Sequence, residues 1–200
     1  ALKIGNINVD VVTNALARST MRIMGPKYMT AGMGDAGACH PRDNIALRWL
    51  AQEYEVGYDL FDTIMHAREQ QAKLMAKTLA LESEKNGKLP VYIHGKAYKP
   101  DVAYTEGSYS LLVGYYLEHE FSISPMYIDP LTEKTLPKEV RGVVLLAHNR
   151  QVTYGYAGVN EAQSQYCTFS KGSIIVDPWR KYTNTDPDIK VIHYGNTRSV

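Results

Sequence analysis

The sequence is poor in cysteine, with only Cys39 and Cys167, and these stand in very different surroundings. Two cysteines in 200 residues do not make a disulfide framework, so we expect a reducing, cytoplasmic setting. No apolar run approaches the roughly 20 residues that a membrane-spanning helix needs. The first residues also lack the charged segment and apolar block of a signal peptide. These absences argue against a membrane partner and against secretion.

An excess of one charge sign is missing as well. The 22 Lys and Arg residues nearly balance the 21 Asp and Glu residues, and the two signs are mixed along the chain. A protein that binds nucleic acid typically carries a basic stripe, so we expect no nucleic-acid partner. The hydrophobic content of 44% is enough for a substantial core.

Helical patterns fill the first part of the chain. Helical spacing predicts a helix over 10–24 with Asp10 as its N-cap, and a second helix that begins near Pro41. A long helix is predicted over 58–85, which contains no Gly or Pro, and Asn86-Gly87 provides its C-cap signal.

Short apolar segments dominate the remainder of the chain. We predict one further helix, at about 107–119, and strands over 91–95, 125–128, 140–147, 173–176 and 189–192. Such alternation favours a parallel sheet. The expected fold class is therefore α/β: a helical domain, residues 1–88, followed by a Rossmann-like parallel-sheet domain, residues 89–200.

The segment Gly32–Gly37 matches the dinucleotide-binding pattern G-x-G-x-x-G. That function needs a hydrophobic strand directly before the glycines and a helix directly after them. The preceding residues make a poor strand, and Cys39-His40-Pro41 interrupts any helix. We predict instead that these glycines let the backbone pass close to a ligand or to another segment.

The segment Gly37–Asp43 contains the most informative chemistry. Cys39 precedes a predicted helix N-terminus and lies near Arg42, and both features favour a thiolate. A thiolate attacks carbonyl carbons readily, as covalent catalysis requires. Asp43 could orient a water molecule or act as a base in a hydrolytic step.

Three other interpretations of this segment are open. Asp43 could serve only as an N-cap, and Cys39 could be a small buried hydrophobic residue. Cys39, His40 and Asp43 could also bind a metal, although their spacing fits no standard site. Cys167 has no reactive surroundings and is predicted to be structural.

Four segments together resemble the UDP-glucose/GDP-mannose dehydrogenase family. The cysteine segment is similar to that family's glycine-rich stretch ending in Gly-x-Cys-x-Pro-Lys-Asp, and Gly95–Asp101 is similar to its Gly-x-x-Tyr/Phe-Lys turn. Asp129-Pro130 resembles the Asp-Pro after the next strand, and Asp177–Arg180 resembles its Asp-x-Arg region. The four occur in family order across nearly all of the chain.

The resemblance implies a reaction, a cofactor and a partner. Members oxidise C6 of a nucleotide-activated hexose twice with two NAD and release a uronic acid, by way of a thiohemiacetal and a thioester. Cys39 would be the nucleophile and Asp43 would help to activate water. The central helical domain would form a homodimer through apolar positions of the long helix, namely Leu60, Phe61, Ile64, Leu74, Met75 and Leu79.

The resemblance also assigns binding residues. Arg42, which replaces the family's lysine, would lie beside NAD. Substrate contacts would come from Arg22, Tyr28, Gly34, Gly37, Tyr98 and Lys99. From the residues alone, Lys99 could equally be a solvated turn lysine, Tyr98 a packing residue and Asp129-Pro130 a strand-ending turn.

The sequence departs from the family pattern in two important ways. Glu106 stands where an NAD-contacting arginine is expected, and the NAD-binding domain that precedes this region in the family is not in the sequence. We therefore expect the substrate-binding and catalytic-cysteine portion of such a dehydrogenase, or alternatively a non-catalytic, nucleotide-sugar-binding and dimerising remnant. The base and the hexose are not specified by the sequence.

Overall fold

A computed structural model describes residues 2, 5–19, 30–34, 37–149, 167–182 and 186–198. The helices within these ranges are α1 (Val9–Ala17), α2 (Cys39–Glu53), α3 (Leu60–Lys85) and α4 (Tyr109–Phe121). The strands are β1 (Val91–His94), β2 (Met126–Ile128), β3 (Glu139–Val140), β4 (Val143–Leu146), β5 (Thr168–Phe169), β6 (Ile174–Asp177) and β7 (Lys190–His193). No helix in this described part of the chain combines the length and the apolar character needed to cross a bilayer.

The first helix begins and ends earlier than predicted. The side chain of Asn8, not Asp10, caps α1, because its Oδ1 accepts hydrogen bonds from the backbone N–H groups of Asp10 and Val11. Asp10 as N-cap is therefore wrong, and its carboxylate is left to pair elsewhere. The helix ends at Ala17, whereas the end predicted near residue 24 lies outside the described residues.

The second helix begins at Cys39, with Ala38 at the N-cap position and no side-chain cap. Asp43 is thus the fifth helical residue, so its interpretation as an N-cap is wrong. The third helix has nearly the bounds that the sequence predicted. Asp59 caps its start through the Asp62 N–H at 2.9 Å, and Gly87 follows its end with φ +77°.

The main sheet has five parallel strands in the order β2-β1-β4-β6-β7, which confirms the predicted α/β fold class. After β1 the chain moves outward to β2 and then returns across β1 to add β4, β6 and β7. The strand order therefore reverses between β1 and β4. In open α/β sheets, the crevice at the carboxyl ends of the strands on either side of such a reversal is the usual place for a ligand.

The strand predicted over 140–147 is two strands. Between them the chain bends at Gly142, whose missing side chain makes room for the Pro90 carbonyl and the Tyr92 ring. The first piece, β3, pairs with β5 in a separate two-stranded sheet. The strand β5 was not predicted, because two residues are too few to show a period.

The core lies on both faces of the sheet. On one face, α3 and α4 pack through Leu79 and Leu117 against Ile93 and Leu145. The opposite face buries a second apolar group, which includes Val144, Ile175, Phe169 and Tyr182. Because α3 contributes to this core, the predicted domain boundary at residue 88 falls within packed structure and stays a prediction.

The apolar positions of α3 do not all have the role that the resemblance implied. Met75 and Leu79 are buried in this chain's own core, at 2% and 0% exposure. Their assignment to a dimer core is therefore wrong. Leu60, at the exposed start of the same helix, remains accessible to a partner.

Candidate functional site

Cys39 is the first residue of α2 and is exposed, so its interpretation as a buried hydrophobic residue is wrong. This position is the N-terminal end of the helix, which carries partial positive charge. The guanidinium of Arg42, three residues along the helix, also interacts electrostatically with Cys39. Cys39 is therefore accessible from solvent at the start of a helix, with a guanidinium within electrostatic range.

Arg42 and Asp43 form an ion pair, with Nε of Arg42 donating to Oδ1 of Asp43 at 2.8 Å. This hydrogen bond raises the pKa of Arg42 and lowers the pKa of Asp43. Asp43 therefore stays ionised at neutral pH and accepts hydrogen bonds, but it is a weak base. It is better suited to orienting a water molecule than to holding that water's proton.

Two glycines allow the cysteine segment to pack closely against its neighbours. Gly37 has φ +86°, and a Cβ on it would lie 2.9 Å from the ring of Tyr98. On the other side, Gly107 has φ +70°, and a Cβ there would lie 2.5 Å from the Cα of Ala38. The structure thus brings together Gly37 and Tyr98, which come from two separate motifs.

The Tyr98 ring lies beside the ammonium group of Lys99. Nζ of Lys99 lies 5.2 Å from the centre of the Tyr98 ring, and the Lys99 side chain is exposed. Tyr104 contacts the Tyr98 ring edge-on, at 6.0 Å between centroids. Lys99 is therefore placed to form charge-assisted hydrogen bonds with an anion such as a phosphate.

Asp129 fixes the turn that carries Tyr98. Its Oδ2 accepts hydrogen bonds from the N–H groups of Lys96 and Ala97, at 2.9 and 2.8 Å, and its Oδ1 accepts one from Leu131 at 3.0 Å. The carboxylate is almost fully buried. Asp129 thus belongs to a strand-ending turn, and it also anchors the neighbouring turn after β1.

The glycines of the G-x-G-x-x-G pattern are used for packing. The Cα of Gly32 lies against the ring of Trp179, and the Cα of Gly34 lies against the ring of Tyr109, so that neither position has room for a Cβ. Residues 30–34 form no strand, and residues 35 and 36 lie outside the described residues. The prediction that these glycines allow a close approach of another segment agrees with this packing.

Two cavities flank residues 30–34. One, of about 610 Å³, has largely apolar walls that include Val9, Met33, Leu74 and Tyr194. The other, of about 650 Å³, is lined by Thr30, His40, Ile64, Arg68, Gln71 and Trp179. The second cavity has polar side chains and reaches the residue after Cys39, and its volume is in the usual range for small-molecule sites.

Arg180, from the segment that resembles the family's Asp-x-Arg, joins distant parts of the chain. Its Nε lies 2.7 Å from both carboxylate oxygens of Asp10, and an Nη donates to the carbonyl of Ala31 at 2.7 Å. Asp177 supports this loop by accepting backbone hydrogen bonds from Trp179, Lys181 and Tyr182. Arg180 thus ties α1 and the glycine-rich segment to the end of β6.

The remaining predictions divide into those the structure describes and those it does not. Arg22 and Tyr28 lie outside the described residues. Cys167 is buried at 2% exposure, and burial raises the pKa of its thiol to about 11, in agreement with a structural role. In the part of the chain that the structure describes, no group of three His, Cys, Asp or Glu side chains is arranged to hold a metal.

Sequence reasoning missed His148, which lies against the turn after β1. Its Nε2 is 2.8 Å from the carbonyl of Ala97, and its ring contacts the Cα of Gly95. A signal was present, since a polar residue directly after an apolar parallel strand lies at the edge of the sheet where ligands bind.

Fold and site together define an open α/β protein with a helical extension and an exposed cysteine at a helix N-terminus. Residues 2–70 match the central domain of the UDP-glucose/GDP-mannose dehydrogenase family, which confirms the predicted resemblance over this part. The members of that family are dehydrogenases of nucleotide sugars. None of the curated proteins compared with the chain matches it significantly.

Solved structures of nucleotide-sugar dehydrogenases have a similar fold. A UDP-N-acetyl-mannosamine dehydrogenase, Cap5O from S. aureus, matches 96% of this chain and 44% of its own, with TM-score 0.63 and 19% identity. A UDP-D-ManNAc dehydrogenase from Pyrococcus horikoshii matches 94% and 45%, with TM-score 0.60 and 20% identity. A UDP-glucose dehydrogenase from Pyrobaculum islandicum matches 90% and 41%, with TM-score 0.56 and 19% identity. This chain therefore spans less than half the length of these structures.

Proposed function

We propose that this chain is the substrate-binding, cysteine-bearing portion of an NAD-dependent nucleotide-sugar 6-dehydrogenase. The observation that carries the proposal is the contact between Gly37, two residues before Cys39, and the ring of Tyr98, next to Lys99. Through this contact Cys39, the proposed nucleophile, and Lys99, the proposed anion-binding residue, lie on neighbouring segments. A substrate with a phosphate at one end and a reactive carbon at the other has that arrangement.

Each residue of this group has a defined task in the proposed reaction. The Cys39 thiolate adds to the C6 aldehyde of the sugar, and a hydride then leaves C6 so that a thioester remains. Water oriented by Asp43 attacks the thioester carbonyl, and the products are a carboxylate and the restored thiolate. Lys99 binds the diphosphate throughout and holds C6 near the sulfur.

NAD would accept the hydride in each of the two oxidations. Of the described residues, Arg42 is the one that would meet it, but Asp43 already pairs with this guanidinium. The exposed Glu106, which precedes the Gly107 that packs against Ala38, adds negative charge beside the cysteine segment. The glycines of Gly32–Gly37 that the structure describes are occupied by aromatic rings. These residues do not form a dinucleotide cradle, so NAD would be bound chiefly by another domain.

The proposed assembly is a homodimer formed by the helical region, through α2 and the segment that follows it. Large apolar side chains are exposed along α2 and the segment after it, namely Ile45, Leu47, Trp49, Leu50, Val56 and Tyr58. An accumulation of large exposed apolar side chains in one region typically marks an interface. A second copy of the chain, which offers the same surface, is the occupant that we propose.

The alternative is a nucleotide-sugar-binding remnant that no longer catalyses oxidation, and Glu106 is the observation that favours it. The two functions differ in what they require of Cys39. An enzyme needs a reactive thiol that the bound substrate covers, whereas a remnant does not.

The first test is thermal stabilisation of the purified chain by UDP, UDP-glucose, UDP-N-acetylmannosamine, GDP-mannose and NAD. A ligand that binds only the folded state raises the melting temperature by mass action. We expect stabilisation by one base's nucleotides and little by NAD, and a Lys99→Met variant should weaken it. Absence of any shift with all five compounds would contradict the proposal.

A second test separates the enzyme from the remnant by alkylation with iodoacetamide. Cys39 should react at once in the native chain and be protected by the nucleotide sugar that stabilises it, whereas the buried Cys167 should react only after unfolding. Nucleotide binding without reactivity or protection of Cys39 would support the remnant.

A further inference from the structure

The turn over 95–99 after β1 is held from two sides. On one side, the carboxylate of Asp129 accepts hydrogen bonds from the backbone N–H groups of Lys96 and Ala97. On the other side, the ring of His148 is hydrogen-bonded to the backbone carbonyl of Ala97, with 2.8 Å between Nε2 and the oxygen. Because a carbonyl oxygen only accepts, Nε2 of His148 must carry the proton.

The histidine ring and the turn are also fitted to each other sterically. Gly95 has φ +106°, which disfavours other residues, and a Cβ there would lie 2.6 Å from the His148 ring. The ring therefore occupies the space that a side chain at position 95 would fill. This contact fixes the direction in which the chain leaves β1.

The residues on either side of His148 are hydrogen-bonded to the loop that follows β6. Nε1 of Trp179 donates to the carbonyl of Leu146 at 3.0 Å, and Nζ of Lys181 donates to Oδ1 of Asn149 at 2.7 Å. These two hydrogen bonds restrain the residues that flank His148. We therefore expect the His148 ring to keep a fixed position beside the turn.

We propose that His148 is a positioning residue that sets the turn over 95–99, and through it Tyr98, against the cysteine segment at the reversal of strand order between β1 and β4. The proposal rests on the proposed function, because it assigns His148 to the nucleotide-sugar site without contact with the reacting atoms. His148 acts on Ala97, the next residue is Tyr98, and the Tyr98 ring covers Gly37.

The test compares His148→Ala, His148→Gln and the control His119→Ala in the full chain. His119 is an exposed histidine on α4, away from the turn. Hydrogen exchange of the Lys96, Ala97 and Tyr98 amides reports the turn, because the first two donate to Asp129 and the third donates to the carbonyl of Tyr104. Affinity for UDP, or for GDP-mannose where the guanosine nucleotide is the one that stabilises the chain, reports the site.

We expect His148→Ala to speed exchange at these three amides and to weaken UDP binding by about five- to tenfold, the usual weight of one neutral hydrogen bond. His148→Gln should restore both, because a glutamine amide can donate to the Ala97 carbonyl. Exchange in β4 and β6 should not change. Slow alkylation of Cys167 will show that each variant is folded.

Two results would overturn the positioning role. One is unchanged exchange of the three amides in His148→Ala, and the other is faster exchange with unchanged UDP affinity. A wild-type chain that binds neither UDP nor GDP-mannose would refute its part in the nucleotide site and the proposed function with it. The exchange rates would still decide whether His148 orders the turn. Failure of His148→Gln to restore exchange would show that ring volume, not the hydrogen bond, holds the turn.

Discussion

The two ends of this chain are built on different principles. The central strands of the sheet are buried on both faces, and β4 and β6 expose almost nothing. By contrast, α1 buries none of its residues and α2 buries only Asn44, while Trp49 and Ile45 each expose 58% of their surface. The α/β part satisfies its apolar residues within the chain. Helices α1 and α2 do not, so their stability depends on what they contact.

The strongest way to break this comparison is a matched pair of leucine substitutions. Leu145→Ala, in the buried strand β4, should lower the free energy of unfolding by about 3 kcal/mol, because it leaves a cavity. Leu50→Ala, on exposed α2, should cost less than about 1 kcal/mol in the monomer. Urea unfolding at low protein concentration measures both. Similar losses in the two variants would show that α2 is packed within the chain.

Acid should affect the α/β part through His94, at the end of β1. Burial, together with the nearby His148, lowers the pKa of His94 to about 4 from its ordinary 6.5. Between these values the unfolded chain binds a proton that the folded chain does not, so stability falls as pH falls from 6.5 to 4. The loss attributable to His94 should approach about 3 kcal/mol at pH 4.

This pH dependence is measured as the difference between wild type and His94→Asn in urea unfolding from pH 7 to pH 4. The variant should be less stable at pH 7, where it lacks the packed ring, but its stability should fall less steeply with acid. The control His119→Asn should keep the wild-type slope. Equal slopes in wild type and His94→Asn would contradict the assignment.

The link between the two parts is the Arg180–Asp10 ion pair, whose arginine side chain is 4% exposed. Asp10→Asn leaves this guanidinium without its counter-charge. The expected loss of stability is about 2 kcal/mol, below the usual cost of breaking a buried pair because Asp10 is partly solvated. Asp188→Asn, which breaks an exposed pair with Lys171, should cause no measurable change.

Differential hydrogen exchange sharpens this prediction. In Asp10→Asn, faster exchange should be confined to α1 and to the last residues, since Asn196 also donates to Asp10 and Thr197 pairs with Ile7. Uniform loosening of the sheet would show that the two parts form a single cooperative unit.

The smallest expected effect concerns association. Trp49→Ser should raise the dissociation constant of the proposed dimer about tenfold or more, because large buried aromatic residues contribute most at interfaces. Tyr115→Ser, which removes an exposed aromatic residue from α4, serves as the matched control. Analytical ultracentrifugation measures the dissociation constant of the wild type and of both variants. A monomeric wild-type chain would refute the dimer and leave the exposed apolar face of α2 for a different partner.

Much of the fold could be predicted because its signals are local. The long helix without Gly or Pro, its Asn86-Gly87 end and the apolar strands near 91, 126 and 174 lie within about two residues of their predicted bounds. The errors have local causes too. Asn8, and not Asp10, is the N-cap of α1, although both residue types are common N-caps. The two-residue strand β5 was too short to show a pattern.

The candidate site was predictable as separate motifs but not as an arrangement. The sequence singled out Gly37, Cys39 and Asp43 in one segment and Tyr98 and Lys99 in another. Nothing in it showed that the Tyr98 ring would cover Gly37, or that Arg42 would pair with Asp43 and lower that carboxyl's pKa. His148 and Trp179 were missed because their roles depend on strands that are neighbours only in the sheet.

By itself the sequence determined the class of fold, the position of Cys39 near a helix start and the resemblance to dehydrogenases of nucleotide sugars. These depend on periodicity, capping and short motifs, which act within a few residues of one another. Only the tertiary structure decided which glycine meets which ring, where the strand order reverses and which apolar faces stay uncovered. Those outcomes depend on contacts between residues far apart in the chain, and such contacts exist only once the sheet has been assembled.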